Sequence, residues 1–145
     1  MTTSLRPAEY LAVAAGGALG SLSRYCVSAA WLAGGPSGFP WPTLVVNVVG
    51  SMLVGLFAAR ALDPEAWLAR PGVRLFLVAG FCGGLTTFSF FSLELAILFQ
   101  QARWRAAGIY LVVSLVAWLL AVALGFRIGR RPAWRSYTKS QTNQE

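Results

Sequence analysis

The sequence predicts an all-α integral membrane protein with four transmembrane helices, the third of them broken. Three observations carry this prediction. Of 145 residues, 57% are hydrophobic and 12% charged, whereas about 25% of a typical globular domain is charged. Charge is absent from long runs: 13 residues over Leu11–Ser23, 35 over Tyr25–Ala59, 19 over Leu75–Leu93 and 21 over Ala106–Phe126. Roughly 20 mostly apolar residues span a bilayer as a helix, while barrel strands need only roughly 9–11 with alternating polarity. Trp31, Trp41, Trp67, Trp104 and Trp134 fall near the ends of these runs, where interfacial belts place tryptophan. The same composition argues against a water-soluble enzyme, a disordered chain and a disulfide-stapled module.

The elements follow in order. The first span covers about residues 10–31. Arg6 ahead of an apolar run has the outline of a signal peptide, but apolar sequence resumes right after Arg24, so the segment is expected to be retained. Residues 34–42 hold three prolines and three glycines and form a loop. The second span covers about 43–59, with Pro42 suited to its first turn. Residues 60–74 are a polar link containing Asp63, Pro64, Glu65, Arg70 and Pro71. The third span covers about 75–99 and the fourth about 106–126. Residues 1–128 thus make one transmembrane domain, and 129–145 a basic, then polar tail expected to be disordered.

Charge sets topology. With four spans, the side holding both termini and the 60–74 link carries nine Lys or Arg, and the other side at most three: Arg103, Arg105 and Arg24. The positive-inside rule then places both termini in the cytoplasm. The net charge of +7 is read as membrane-surface attraction, with no nucleic-acid partner. There is no His, which excludes imidazole metal sites and acid–base work. Cys26 and Cys82 are read as small buried hydrophobes.

Polar groups inside a bilayer are costly, so each needs a reason. Asn47, Gly50, Ser51 and Gly55 share one face of the second span. Asn47 either hydrogen-bonds a neighbouring helix or turns its NH₂ to a solute path. In the third span, Gly83-Gly84 and Thr86-Thr87 are poor helix formers. A break there frees carbonyls that suit a hard cation such as Na⁺; the alternative is a continuous helix in which Gly80 and Gly84 form a packing seam. Phe88 and Phe91 share a face with Ser92. They are either packing aromatics or ring edges offered to a small anion. Glu94 is solvated near the surface, paired with Arg24 or Arg103, or set in a wetted vestibule or a proton-coupled site. Arg24 snorkels to headgroups or marks an anion entrance. Tyr110, Ser114 and Trp118 line one face of the fourth span, for interhelical hydrogen bonds or for a solute. All these donors are neutral and no Lys lies in a span, which suits rapid passage of an anion. Four short helices enclose little alone, so a pore calls for a second subunit.

The stretch Gly83-Gly84-Leu85-Thr86-Thr87-Phe88-Ser89-Phe90-Phe91-Ser92-Leu93-Glu94 carries a more specific signal. With Asn47-Val48-Val49-Gly50-Ser51 upstream and Gly17-Ala18-Leu19-Gly20-Ser21-Leu22-Ser23-Arg24-Tyr25 in the first span, it closely resembles the Fluc-type (CrcB) fluoride channel family over about residues 8–128. The resemblance implies an antiparallel, dual-topology-type dimer in the cell membrane with two fluoride pathways. It implies that Asn47 is the pore amide, Phe88 and Phe91 the pore aromatics, and Thr87, Ser89 and Glu94 a polar track. Tyr110 and Ser114 would face the pore, Arg24 the vestibule. Main-chain carbonyls of Gly83 and Thr86, from both subunits, would hold a structural Na⁺. Two features depart from the family. The place one turn beyond Ser114, often a hydroxyl residue, holds Trp118. The Lys/Arg bias also exceeds that of dual-topology chains, so pairing with an oppositely oriented paralogue stands beside the homodimer.

The implied function is passive, fluoride-selective export that relieves toxicity, without chemistry on a substrate. The alternative is a small proton-coupled multidrug exporter, also an antiparallel dimer of four-helix chains. Such exporters depend on a first-span Glu, where this chain has Arg24. A third possibility is a membrane subunit without transport.

Overall fold

A computed structural model describes residues 5–35, 38–63 and 66–130. Among them the secondary structure is entirely helical. Helix α1 spans Pro7–Ala33, and its first turn is closed by Glu9, whose carboxylate accepts from the Arg6 backbone N–H at 2.8 Å. Helix α2 spans Trp41–Arg60. It starts two residues earlier than the expected 43, which puts Pro42 in the first turn, where its missing N–H costs nothing.

A short 3₁₀ turn at Trp67–Ala69 leads into α3, which comprises residues 71–85. It begins α-helical over Pro71–Arg74, loosens to i→i+5 bonding over Leu75–Cys82, and closes with one α turn at Gly83–Leu85. Thr86 and Thr87 are extended (φ −79°, ψ 154° and φ −150°, ψ 117°). Helix α4 then resumes over Phe88–Gln100, and α5 runs over Trp104–Gly129. The expected break in the third span is therefore present. Helix α5 continues to Gly129, and of the segment 129–145 expected as a tail, residues 131–145 lie outside the described residues.

By length and composition, α2, the broken run Pro71–Gln100 and α5 are apolar enough to cross a membrane. Helix α1 has 27 residues, but Gly16, Gly17, Gly20, three serines and Arg24 dilute its apolar character.

The helices pack as two tight pairs, α1 on α3 and α2 on α5, with α4 leaning on α5. Glycine makes both pairs possible. A methyl on Gly20 would strike the Phe81 carbonyl, one on Gly84 the Gly17 carbonyl. In the other pair, methyls on Gly55 and Gly125 would strike the Val122 and Met52 carbonyls. Without a hydrophobic driving force between helices in lipid, such backbone approach is what holds spans together. The reading of Gly80 and Gly84 as a packing seam thus holds together with the break, which falls just beyond them. Cys82 is buried, but Cys26 is exposed on α1, because the glycine face of that helix, not the Cys26 face, meets α3.

Candidate functional site

The site is organised around the interruption at Thr86–Thr87. Asn47, buried on α2, pairs with the Thr87 peptide on both sides. Its Nδ2 donates to the Thr87 carbonyl at 3.0 Å, and its Oδ1 accepts from the Thr87 N–H at 2.7 Å. This satisfies two backbone groups that no lipid could. The Thr87 hydroxyl caps α4 by accepting from the Phe90 N–H at 3.2 Å. Because the Thr87 N–H goes to Asn47, the Gly83 carbonyl loses the donor that a continuous helix would supply. Thr86 is drawn in close to α2, where only a hydrogen at Gly50 leaves room for its methyl.

Helix α4 turns Thr87, Phe91 and Leu98 inward, at spacings that keep to one helical face. Phe91, 3% exposed, lies 5.1 Å from Tyr110 and 4.9 Å from Trp118 between ring centroids, the latter in an edge-on arrangement. Tyr110 and Ser114 are fully buried. The Tyr110 hydroxyl donates to Glu94 Oε2 and the Thr43 hydroxyl to Oε1, each at 2.7 Å. Glu94 therefore takes two hydroxyls as partners, and neither Arg24 nor Arg103. Ser114 Oγ and Trp118 Nε1 are buried with no hydrogen-bond partner.

Two openings flank the break, and Thr87 lines both. A cavity of about 680 Å³ is lined by Arg24, Thr43, Glu94 and Arg103 among others. There Arg24 sits over the Phe90 ring, 5.5 Å from its centroid. A groove of about 400 Å³ is lined by Asn47, Ser51, Thr86, Phe88 and Trp118 among others. These walls carry an amide, hydroxyls, an indole and rings, with fixed positive charge confined to the larger opening.

The structure brings Asn47, Thr87, Phe91, Glu94, Tyr110 and Ser114 together. Phe88 is apart from them: its ring is 5.6 Å from that of Phe91, but it is 70% exposed on the outer face of α4. Ser89 is exposed beside it. Gly83 faces open space, and Thr86 is half-buried. Sequence reasoning missed Thr43, Phe39 and the bare Trp118 indole nitrogen. Thr43 opened an apolar span and gave no sign of reaching Glu94. Phe39 stacks edge-on against Tyr110 at 5.4 Å from a loop whose composition signalled only a turn. Among the described residues, no three His, Cys, Asp or Glu cluster to hold a metal.

Residues 11–126 match the family described as CrcB-like protein, Camphor Resistance (CrcB). The chain is 46% identical over 125 residues to the fluoride-specific ion channel FluC 1 of Mycolicibacterium paratuberculosis, covering 85% of this chain and 91% of that protein. It is 46% identical over 121 residues to a FluC 1 of Nitrobacter hamburgensis, covering 83% and 94%. A FluC 1 of Mycobacterium tuberculosis is 45% identical over 125 residues, covering 85% and 91%. A match over this much of the chain, on a four-helix fold with an interrupted third span, makes the protein a member of the CrcB-like family of multi-pass membrane proteins.

Proposed function

We propose that the chain forms a passive, fluoride-selective ion channel, not an enzyme, that lets fluoride leave the cytoplasm and so relieves its toxicity. The observation that carries this reading is the wholly buried, unpartnered Ser114 hydroxyl, on the α5 face that also carries Tyr110 and Trp118. A buried donor without a partner is costly, and a strongly accepting anion would satisfy it. The relatives named as fluoride-specific channels support the same ion. Neutral donors bind fluoride well enough to replace its water and weakly enough to release it. Hydrogen fluoride enters cells as the neutral acid and dissociates, so a leak for the anion suffices for export.

In this reading Ser114 and the second amide hydrogen of Asn47 donate hydrogen bonds, Tyr110 faces the pathway and becomes a donor to it only when its hydroxyl turns from Glu94, Phe88 and Phe91 present ring edges, and Thr87, Ser89 and Glu94 form the adjoining polar track. Arg24 concentrates anions in the larger opening. The working unit is an antiparallel homodimer with two pathways, the heterodimer with an oppositely oriented paralogue being the variant of it. A second copy would cover the exposed Phe88 and Ser89. A structural Na⁺ fits the freed Gly83 carbonyl and the extended Thr86 at the break, joined by their counterparts from the second subunit.

The test is efflux from liposomes containing the purified chain. Fluoride is expected to leave far faster than chloride. Equal rates reject selectivity, and no flux of either ion rejects the channel.

A further inference from the structure

Tyr110, Ser114 and Trp118 present three X–H groups at four-residue steps on one face of α5. They differ in what they do. The Tyr110 hydroxyl is occupied by Glu94. Ser114 Oγ and Trp118 Nε1 are both buried and both without a partner. A serine hydroxyl can rotate to find an acceptor; an indole N–H is a donor only and points where its ring points. That ring is fixed by its edge-on packing against Phe91. Trp118 also lines the 400 Å³ groove together with Asn47, Ser51 and Phe88. The N–H is therefore withdrawn from solvent and held by packing, behind a ring that itself lines the groove beside Asn47 and Ser51.

We infer that the Trp118 indole N–H is a hydrogen-bond donor to the permeating anion, one helical turn beyond Ser114. The inference rests on the fluoride-channel reading and adds a residue to it. An indole has no oxygen lone pair to repel an anion, and it cannot turn back to a carbonyl of its own helix. It is a stiffer donor than a hydroxyl and favours the smallest strong acceptor.

The test crosses bulk against donor in the full chain, by fluoride-electrode efflux from liposomes. Trp118→Phe keeps a ring and removes the N–H; Trp118→Thr sacrifices the ring and restores an X–H group. Fluoride efflux is expected to fall about tenfold in Trp118→Phe, as loss of one net hydrogen bond implies, and to recover substantially in Trp118→Thr. A merely structural tryptophan gives the reverse order. A second readout needs no folded Phe variant: among the six indole ¹H–¹⁵N signals of the wild-type chain, the one missing in Trp118→Thr moves downfield with fluoride and not with chloride. Wild-type efflux by Trp118→Phe, or no fluoride-dependent indole shift, overturns the proposal alone. Absence of selective efflux from the unaltered chain overturns the channel reading, and the proposal with it.

Discussion

Asn47 and the Thr87 peptide face each other as a closed pair, one donor and one acceptor on each side, and both residues are buried. Asn47→Ala leaves a backbone N–H and a backbone carbonyl buried and bare. Each such group costs about 1–3 kcal/mol, so the variant is expected to lose about 2 kcal/mol or more of stability. Its detergent-solubilised melting temperature should drop clearly, and fluoride efflux should be lost with it; an unchanged melt would mean the break does not depend on this amide. Glu94 poses the opposite case. Its oxygens accept from Thr43 and Tyr110, and a Gln can still accept from one hydroxyl while donating to the other. Glu94→Gln is therefore expected to keep fluoride efflux within about an order of magnitude of wild type, since most hydrogen bonding at this carboxylate survives. Complete loss of transport would favour a proton-coupled exporter instead.

At the scale of the helix, glycine and the left-handed backbone give sharper tests than hydrophobicity does. Gly125 meets the Met52 carbonyl across the α2–α5 seam, while Gly108 on the same helix has nothing within 4 Å of an added methyl. Gly125→Ala is expected to force the pair apart and reduce the yield of folded protein on size exclusion. Gly108→Ala should be neutral or stabilise by up to about 1 kcal/mol through helix propensity. Equal behaviour of the two would dissolve the seam argument. The turn between α4 and α5 holds Ala102 at φ 55°, where it lets the Arg103 N–H reach the Leu98 carbonyl at 2.9 Å. That conformation costs a non-glycine residue about 1–2 kcal/mol. Ala102→Gly should recover about 1 kcal/mol of it, seen as a higher melting temperature. The same elements show what the sequence could and could not disclose. Four spans and an interrupted third were legible because run length and poor helix formers are local properties. The break falls at Thr86–Thr87 and spares Gly83-Gly84, because Gly84 is needed for contact with α1; β-branching and Asn47 decide the point. The i→i+5 winding of Leu75–Cys82 left no trace, since its apolar residues suit either helix. Asn47 was legible as a costly intramembrane amide, but its partner was a peptide group, and every backbone reads alike.

Taken whole, the proposed pathway is incomplete in one chain. Phe91 is enclosed, whereas Phe88, its proposed companion, stands 70% exposed on the outer face of α4, and the groove beneath it is open along one side. Gly83, whose carbonyl is deprived of its helical donor, is exposed, and a methyl added to it would meet nothing within 4 Å. An isolated subunit in lipid would leave these groups facing hydrocarbon, which cannot hydrogen-bond a carbonyl. A second copy, inverted, would bring its own break against this one and cover both features in a single contact. Na⁺ at that contact would then join carbonyls of two chains, on the side of the Thr86–Thr87 peptide opposite the N–H that Asn47 takes, so its removal should weaken assembly and leave ion preference untouched. Binding that occurs only in the assembled state stabilises it by mass action. Replacing Na⁺ with a large organic cation at constant ionic strength is expected to shift the dimer toward monomer, with the apparent dissociation constant rising about tenfold or more if Na⁺ had been well above its own dissociation constant. Single-molecule photobleaching of labelled chains in lipid reads that shift, while the fluoride-to-chloride efflux ratio of the remaining dimers should hold constant. A dimer indifferent to Na⁺ would remove the ion from the interface. A falling ratio would instead place the cation in the pathway, beside the donors rather than behind them.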